Sequence, residues 1–142
     1  MTPLKQIDGL LAKYPPALAK QARACLAKLR KRLPHAVELV YDYGFQLVFS
    51  FGATERGIEA PLALAVAPKG ICLFIQHKGV PDPEKRLRGS AKLVRYVPLE
   101  SPASLEDPYT IKLTEAALAK AKVPMDPAAK HRLVFKSNSP KR

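Results

Sequence analysis

Apolar residues recur along this chain with two different periods. Leu4, Ile7, Leu10 and Leu11 share one face of a short helix that Thr2 caps and Pro3 opens. Pro15-Pro16 ends it and starts a second helix running to about Leu33. There Leu18, Ala22, Cys25, Leu29 and Leu33 form a core-facing stripe. Lys20, Arg23, Lys28, Arg30, Lys31 and Arg32 fill the other side without an acid and read as a solvated face. Past Leu33 the period drops to two. Residues 37–43 are apolar or aromatic at odd positions, and Phe45, Leu47, Phe49 and Phe51 alternate cleanly, which predicts two strands with Gly44 in a tight turn between them. Glu38 and Asp42 share the opposite parity, so they read as a solvent face. Residues 52–57 read as a loop, 62–67 and 71–76 as two strands joined by Ala67-Pro68-Lys69-Gly70, and 93–99 as a fifth strand. Asp107-Pro108 opens a last helix carrying Ile111, Leu113 and Leu118. The pattern predicts an α+β fold: a mostly antiparallel sheet of about five strands, flanked by N-terminal helices and a C-terminal helix.

A chain of 142 residues is one domain's worth and needs no disulfide or metal staple. The domain is expected over 1–122. A basic, proline-containing tail follows over 123–142, partly ordered, in which Leu133-Val134-Phe135 dock and the final residues stay loose. Cys25 and Cys72 lie in apolar-periodic segments and read as buried free thiols of a reducing cytoplasm. The stretch MTPLKQIDGLL holds no apolar run of signal-peptide length, and the longest apolar run, 60–68, is far short of a membrane span. The expectation is a cytoplasmic protein without a membrane partner.

Charge changes the picture more. The net +12 sits in three blocks, residues 1–35, 78–97 and 123–142, while the segments between are near neutral. Such a field concentrates anionic partners, although it also serves solubility alone. The middle block, KGVPDPEKRLRGSAKLVRYV, surrounds a small-residue turn with Arg88, Lys92 and Arg95. Gly89-Ser90-Ala91-Lys92 lacks the spacing of a phosphate loop, and a strand follows where such a loop needs a helix. Its backbone N–H groups and neighbouring cations are nonetheless the residue types that converge on an anion. Other chemistry has little support. His35, His77 and His131 have no ligand spacing among themselves or with the cysteines, and Ser50, Ser90 and Ser101 lack a nucleophile-elbow context.

The run from Val37 to Ser101 resembles the YdhG-like domains, small bacterial proteins grouped as a domain of unknown function. The resemblance rests on Glu38 to Asp42, the Thr54-Glu55-Arg56 loop, the apolar hairpin over 62–75, Pro81-Asp82-Pro83, Gly89 to Lys92, and Arg95. It covers about 36–122 well and the second helix loosely. Relatives read Gly-Ser-Gly-Lys where this chain has Ala91. The resemblance implies an α+β domain with no established reaction. Some members of the wider family look like frataxin-type iron chaperones, for which Asp42, Glu55 and Glu59 are the only loose carboxylate group here.

Taken together, the expectation is a non-enzymatic domain without cofactor, metal or catalytic residues, which binds an anionic small molecule or an acidic macromolecule. Arg88, Gly89, Ser90, Lys92 and Arg95 are the anion-binding candidates, with Tyr41, Tyr43, Thr54, Glu55 and Arg56 lining the pocket, and core packing is the other reading of the two tyrosines. The alternatives are a nucleic-acid-associated protein using the basic helix and tail, with weak non-specific binding, and a frataxin-like iron chaperone.

Overall fold

A computed structural model describes residues 2–136. Helices α1 (Pro3–Leu11) and α2 (Pro16–Arg32) precede strands β1 (Val37–Asp42), β2 (Leu47–Gly52), β3 (Leu62–Ala67), β4 (Gly70–Gln76) and β5 (Val94–Leu99). Helix α3 (Pro108–Ala119) and strand β6 (Arg132–Phe135) follow, and short 3-10 turns occupy Gly57–Glu59 and Pro102–Glu106. The capping expected from the sequence is present. Thr2 Oγ1 accepts from Lys5 N at 3.2 Å, and the Asp107 carboxylate accepts from Thr110 N at 3.2 Å. The stripe of α2 is rotated slightly from the expected one: Ala19, Ala22, Cys25, Leu26 and Leu29 are buried, and Leu18 is half-buried.

The fold is α+β, with one sheet in the order β5-β4-β3-β2-β1-β6. Neighbours are antiparallel except β1 and β6, which are parallel. The sixth strand comes from the segment expected as a tail. Its docking is a full strand pairing, with Arg132 N donating to Ala36 O at 3.2 Å and Lys136 N to Val40 O at 2.9 Å. The expectation of loose final residues falls on 137–142, outside the described residues. No described helix is long and apolar enough to cross a membrane.

Register sorts the side chains into two faces. Val40, Phe49, Leu64, Leu73 and Val97 form one continuous rung, as do Leu47, Val66, Ile71 and Leu99. These rungs join Ile7 and Leu11 of α1, the buried stripe of α2, and Leu113 and Ala117 of α3 in the core. Two strand expectations are corrected. Phe45 does not continue the Leu47-Phe49-Phe51 row; it sits 67% exposed at the hairpin tip, where Gly44 takes φ +84° and Tyr43 N donates to Gln46 O. The reason is local: the turn needs residues 43–46, so the strand starts only at Leu47. Glu38 is not on a solvent face. It lies on the helix-covered face beside Phe51, completely buried. Arg30 donates to both its oxygens at 2.8 Å, and His131 Nε2 lies 2.7 Å from Oε1. With Val37, Leu39 and Val40 buried as well, β1 is covered on both sides, so alternation carries no information about exposure there.

Candidate ligand-binding site

Residues of the opposite parity face away from the helices. One rung reads Leu39, Ser50, Ala63, Phe74 and Tyr96; the next reads Tyr41, Val48, Ala65, Cys72 and Pro98. The central positions are small and the flanks are aromatic, so this face is a trough. On one flank Tyr41 and Tyr43 stack with ring centres 5.8 Å apart, and Phe45 leans on Tyr43. On the other, Phe74 and Tyr96 lie 5.5 Å apart. Ile58 and Leu93, both largely exposed, close one end, and the space encloses about 620 Å³. The 3-10 turn is seated tightly over this face. Gly57 lies against the Tyr41 hydroxyl where a β-carbon would collide with it. Gln76 Nε2 donates to Ile58 O at 2.7 Å, fixing the turn to the end of β4.

Beyond Gln76 the character of the surface changes. Arg56, Lys78, Lys120 and Lys122 surround a second hollow of about 660 Å³, with Glu59 in its wall. Lys78 follows directly on β4 and its connecting residue, while Lys120 and Lys122 follow directly on α3. Helix α3 packs against β3 and β4, and its last turn and the residues after it stand beside Lys78. Gly79, at φ +78°, lets the Lys120 side chain lie along the backbone. Glu59 is largely taken up internally: it accepts from Thr54 Oγ1 at 2.7 Å and stands 3.7 Å from Arg56. Among the described residues, Lys78, Lys120 and Lys122 form no ion pair. Ile58, Gln76 and Leu93 line both spaces, so the apolar trough runs into the cationic hollow.

No family model, curated protein or solved structure matches this chain.

The residues expected to bind the anion are arranged differently. Arg88 pairs through its backbone with Tyr96, at 2.8 and 3.0 Å, and extends the edge of β5. Gly89, at φ +100°, packs on the Tyr96 ring. Ser90 and Lys92 are exposed, and Arg95 turns back so that its Nε donates to Ala91 O at 3.4 Å. His77 Nε2 lies 3.2 Å from the same carbonyl. The turn is thus held through its carbonyl oxygen, and Lys92 and Arg95 border neither the trough nor the hollow. Of the expected pocket residues, Tyr41 and Tyr43 line the trough and Arg56 the hollow. Thr54 braces Glu59 and the Arg56 amide, and Glu55 pairs with Arg132 at 3.0 Å. Gln76, Lys78, Lys120 and Lys122 were not anticipated. The available signal was that three of them sit just past the ends of a strand and a helix, where side chains from separate elements meet.

Part of the cationic block, around Asp82 and Arg86, is tied down. Asp82 accepts from Tyr109 Oη, Arg86 N and Leu87 N, and Arg86 lies over the Tyr109 ring while pairing with Glu84 and Asp107. Burial pushes the Asp82 carboxyl up, but the bonds from Tyr109, Leu87 and Arg86 together outweigh it and hold it below its ordinary value. A depressed carboxyl contributes stability above its unfolded-state value that is lost as pH falls through the folded one. Acidification below about pH 4 should therefore release this segment from α3 before the core unfolds. Asp82→Asn should cost about 1–3 kcal/mol and abolish that acid step. The Tyr109 ring signals in an NMR pH titration check both; an acid step surviving in the variant would refute the assignment.

Three other arrangements bear on chemistry. On α2, Arg23 pairs with Asp8, Lys28 with Glu106 and Arg30 with Glu38, while Arg32 donates to Leu105 O. The basic face of that helix is largely occupied in holding the fold. Asp42 accepts from Gly44 N, Glu55 serves Arg132 and Glu59 serves Thr54, so the loose carboxylate group does not converge. Among the described residues no three His, Cys, Asp or Glu side chains stand together as a metal site. Burial pushes the Cys25 thiol up to about 11, Lys28 opposing it only weakly, and pushes Cys72 up as well, which leaves neither as a ready thiolate.

Proposed function

We propose that this protein is a non-catalytic binding domain for an anionic small molecule, seated in the hollow between Arg56, Lys78, Lys120 and Lys122. The observation that carries this reading is that three lysines converge on one concavity without an ion-pair partner among the described residues. Like charges held together repel one another, and a bound anion relieves that repulsion. The hollow lies at the carbonyl end of α3, so the anion is held by side chains and not by a helix N-terminus. The resemblance to the YdhG-like domains, which implies no reaction, accords with this reading. A nucleic-acid surface on α2 is disfavoured because most cations there already have partners, and an iron site is disfavoured because the candidate carboxylates are dispersed.

Inorganic phosphate is the simplest probe. It should raise the melting temperature in a saturable way, since a ligand of the folded state alone stabilises by mass action. Lys120→Glu should abolish that response. Lys92→Ala with Arg95→Ala, the turn first suggested by the sequence, should leave it intact. A response lost in the Lys92/Arg95 variant and kept in Lys120→Glu would move the site to the turn.

A further inference from the structure

We infer that the ligand is an amphiphilic aromatic anion, its charged group in the lysine hollow and its flat ring system on the open face of the sheet. This rests on the anion-binding reading and adds the class of molecule. The two spaces are continuous through Ile58, Gln76 and Leu93, so a molecule reaching from one to the other meets cations at one end and apolar surface at the other. Five large apolar side chains are exposed among the described residues, and three of them, Phe45, Ile58 and Leu93, border the trough. Such clustering marks a binding surface where scattered exposed residues do not.

The shape of the trough selects the body. Its floor is Val48, Ser50 and Ala63, small side chains on adjacent antiparallel strands. Its walls are Tyr41 on β1 and Phe74 on β4, three strand spacings apart, or about 14 Å between backbones. Less the thickness of the two walls, that leaves room for a fused two-ring system lying flat, with ring edges toward the aromatic walls in the tilted or offset contacts such rings favour. Ser50 stands in the floor, where its hydroxyl can pair with a ring heteroatom or hydroxyl. An aromatic body also fits the charge pattern: the trough proper is lined by no charged residue, and the cations of the hollow lie past Gln76.

The test uses three probes on the full chain, titrated calorimetrically: inorganic phosphate, 2-naphthol and 1-naphthyl phosphate. Naphthyl phosphate should bind about tenfold or more tighter than inorganic phosphate, because the ring buries apolar area that phosphate lacks. Naphthol should compete with it. Ala63→Trp, which fills the floor, should reduce naphthyl phosphate to the affinity of inorganic phosphate and leave the latter unchanged. Phe45→Glu, at an exposed rim position that lines the trough and not the hollow, should do the same and serves if Ala63→Trp does not fold. If phosphate binds but the naphthyl ester binds no tighter, this inference is overturned and the anion-binding reading stands. If neither binds, both fall. A dimer seen by sedimentation velocity that Phe45→Glu dissociates would also overturn it, since the trough would then be covered by a second copy of the chain.

Discussion

Replacing Glu38 with alanine is expected to lower the melting temperature by roughly 10–15 °C, corresponding to about 3–5 kcal/mol for a buried ion pair broken from one side. The carboxylate is fully buried, takes both donors of Arg30 at 2.8 Å and meets His131 at 2.7 Å. Its removal strands the Arg30 guanidinium, only 24% exposed, against the edge of the core with no counter-charge. The loss comes from that orphaned charge more than from the bond itself. Glu38→Leu combined with Arg30→Met should consequently recover most of the stability, since an apolar replacement of both partners is often nearly neutral. Thermal unfolding by circular dichroism of the two single variants and the double variant gives the coupling. Simple additivity of the two single losses would show that the pair does not act as a unit.

Val134→Pro is the second large effect. Arg132 and Lys136 amides point at β1, so the period of two directs the Val134 amide there as well. Proline removes that donor from a ladder only four residues long, and β6 should detach. Detachment withdraws His131 from Glu38 and bares the outer edge of β1, a row of unpaired groups beside apolar side chains. The expected result is a loss of about 3 kcal/mol or more, with light scattering appearing well below the melting temperature of the parent protein. Phe135→Pro is the control. The Phe135 amide faces away from β1 and its side chain is 36% exposed, so that variant should remain monodisperse and lose far less. Equal behaviour of the two prolines would mean that side-chain docking, not the ladder, holds the strand.

What could be read from the sequence was what local chemistry decides. Gly44 in a hairpin, Pro68-Lys69-Gly70 in the next turn and Asp107 before Pro108 each specify a backbone geometry within a few residues, and each was found in place. What escaped depends on distant partners. Glu38 looks solvent-facing in an alternating run because its Arg30 and His131 partners come from other elements. Arg132-Leu-Val-Phe135 is too short to show a period amid prolines and charges, so its strand character comes from β1. The cationic hollow draws on three separated segments, each with one or two basic residues. Charge density along the chain pointed to residues 78–97 as a whole, where Arg86 is taken up by Glu84 and Asp107, Arg95 turns to a backbone carbonyl, and of the cations only Lys78 reaches the hollow.

The parallel pairing of β1 with β6 also sets a timetable. His131 follows Glu38 by 93 positions, so during synthesis β1 leaves the ribosome long before the neighbour that closes it. At about 5–20 residues per second, the interval is of the order of 5–20 s. Until β6 is made, β2 is the one neighbour of β1 in the final sheet that is present, and the outer flank of β1 is open. Closing the loop between β1 and β6 joins elements remote in sequence, the kind of contact that slows folding most. Sealing of the sheet is therefore a late event, and until β6 arrives the outer edge of β1 carries a row of unpaired backbone groups.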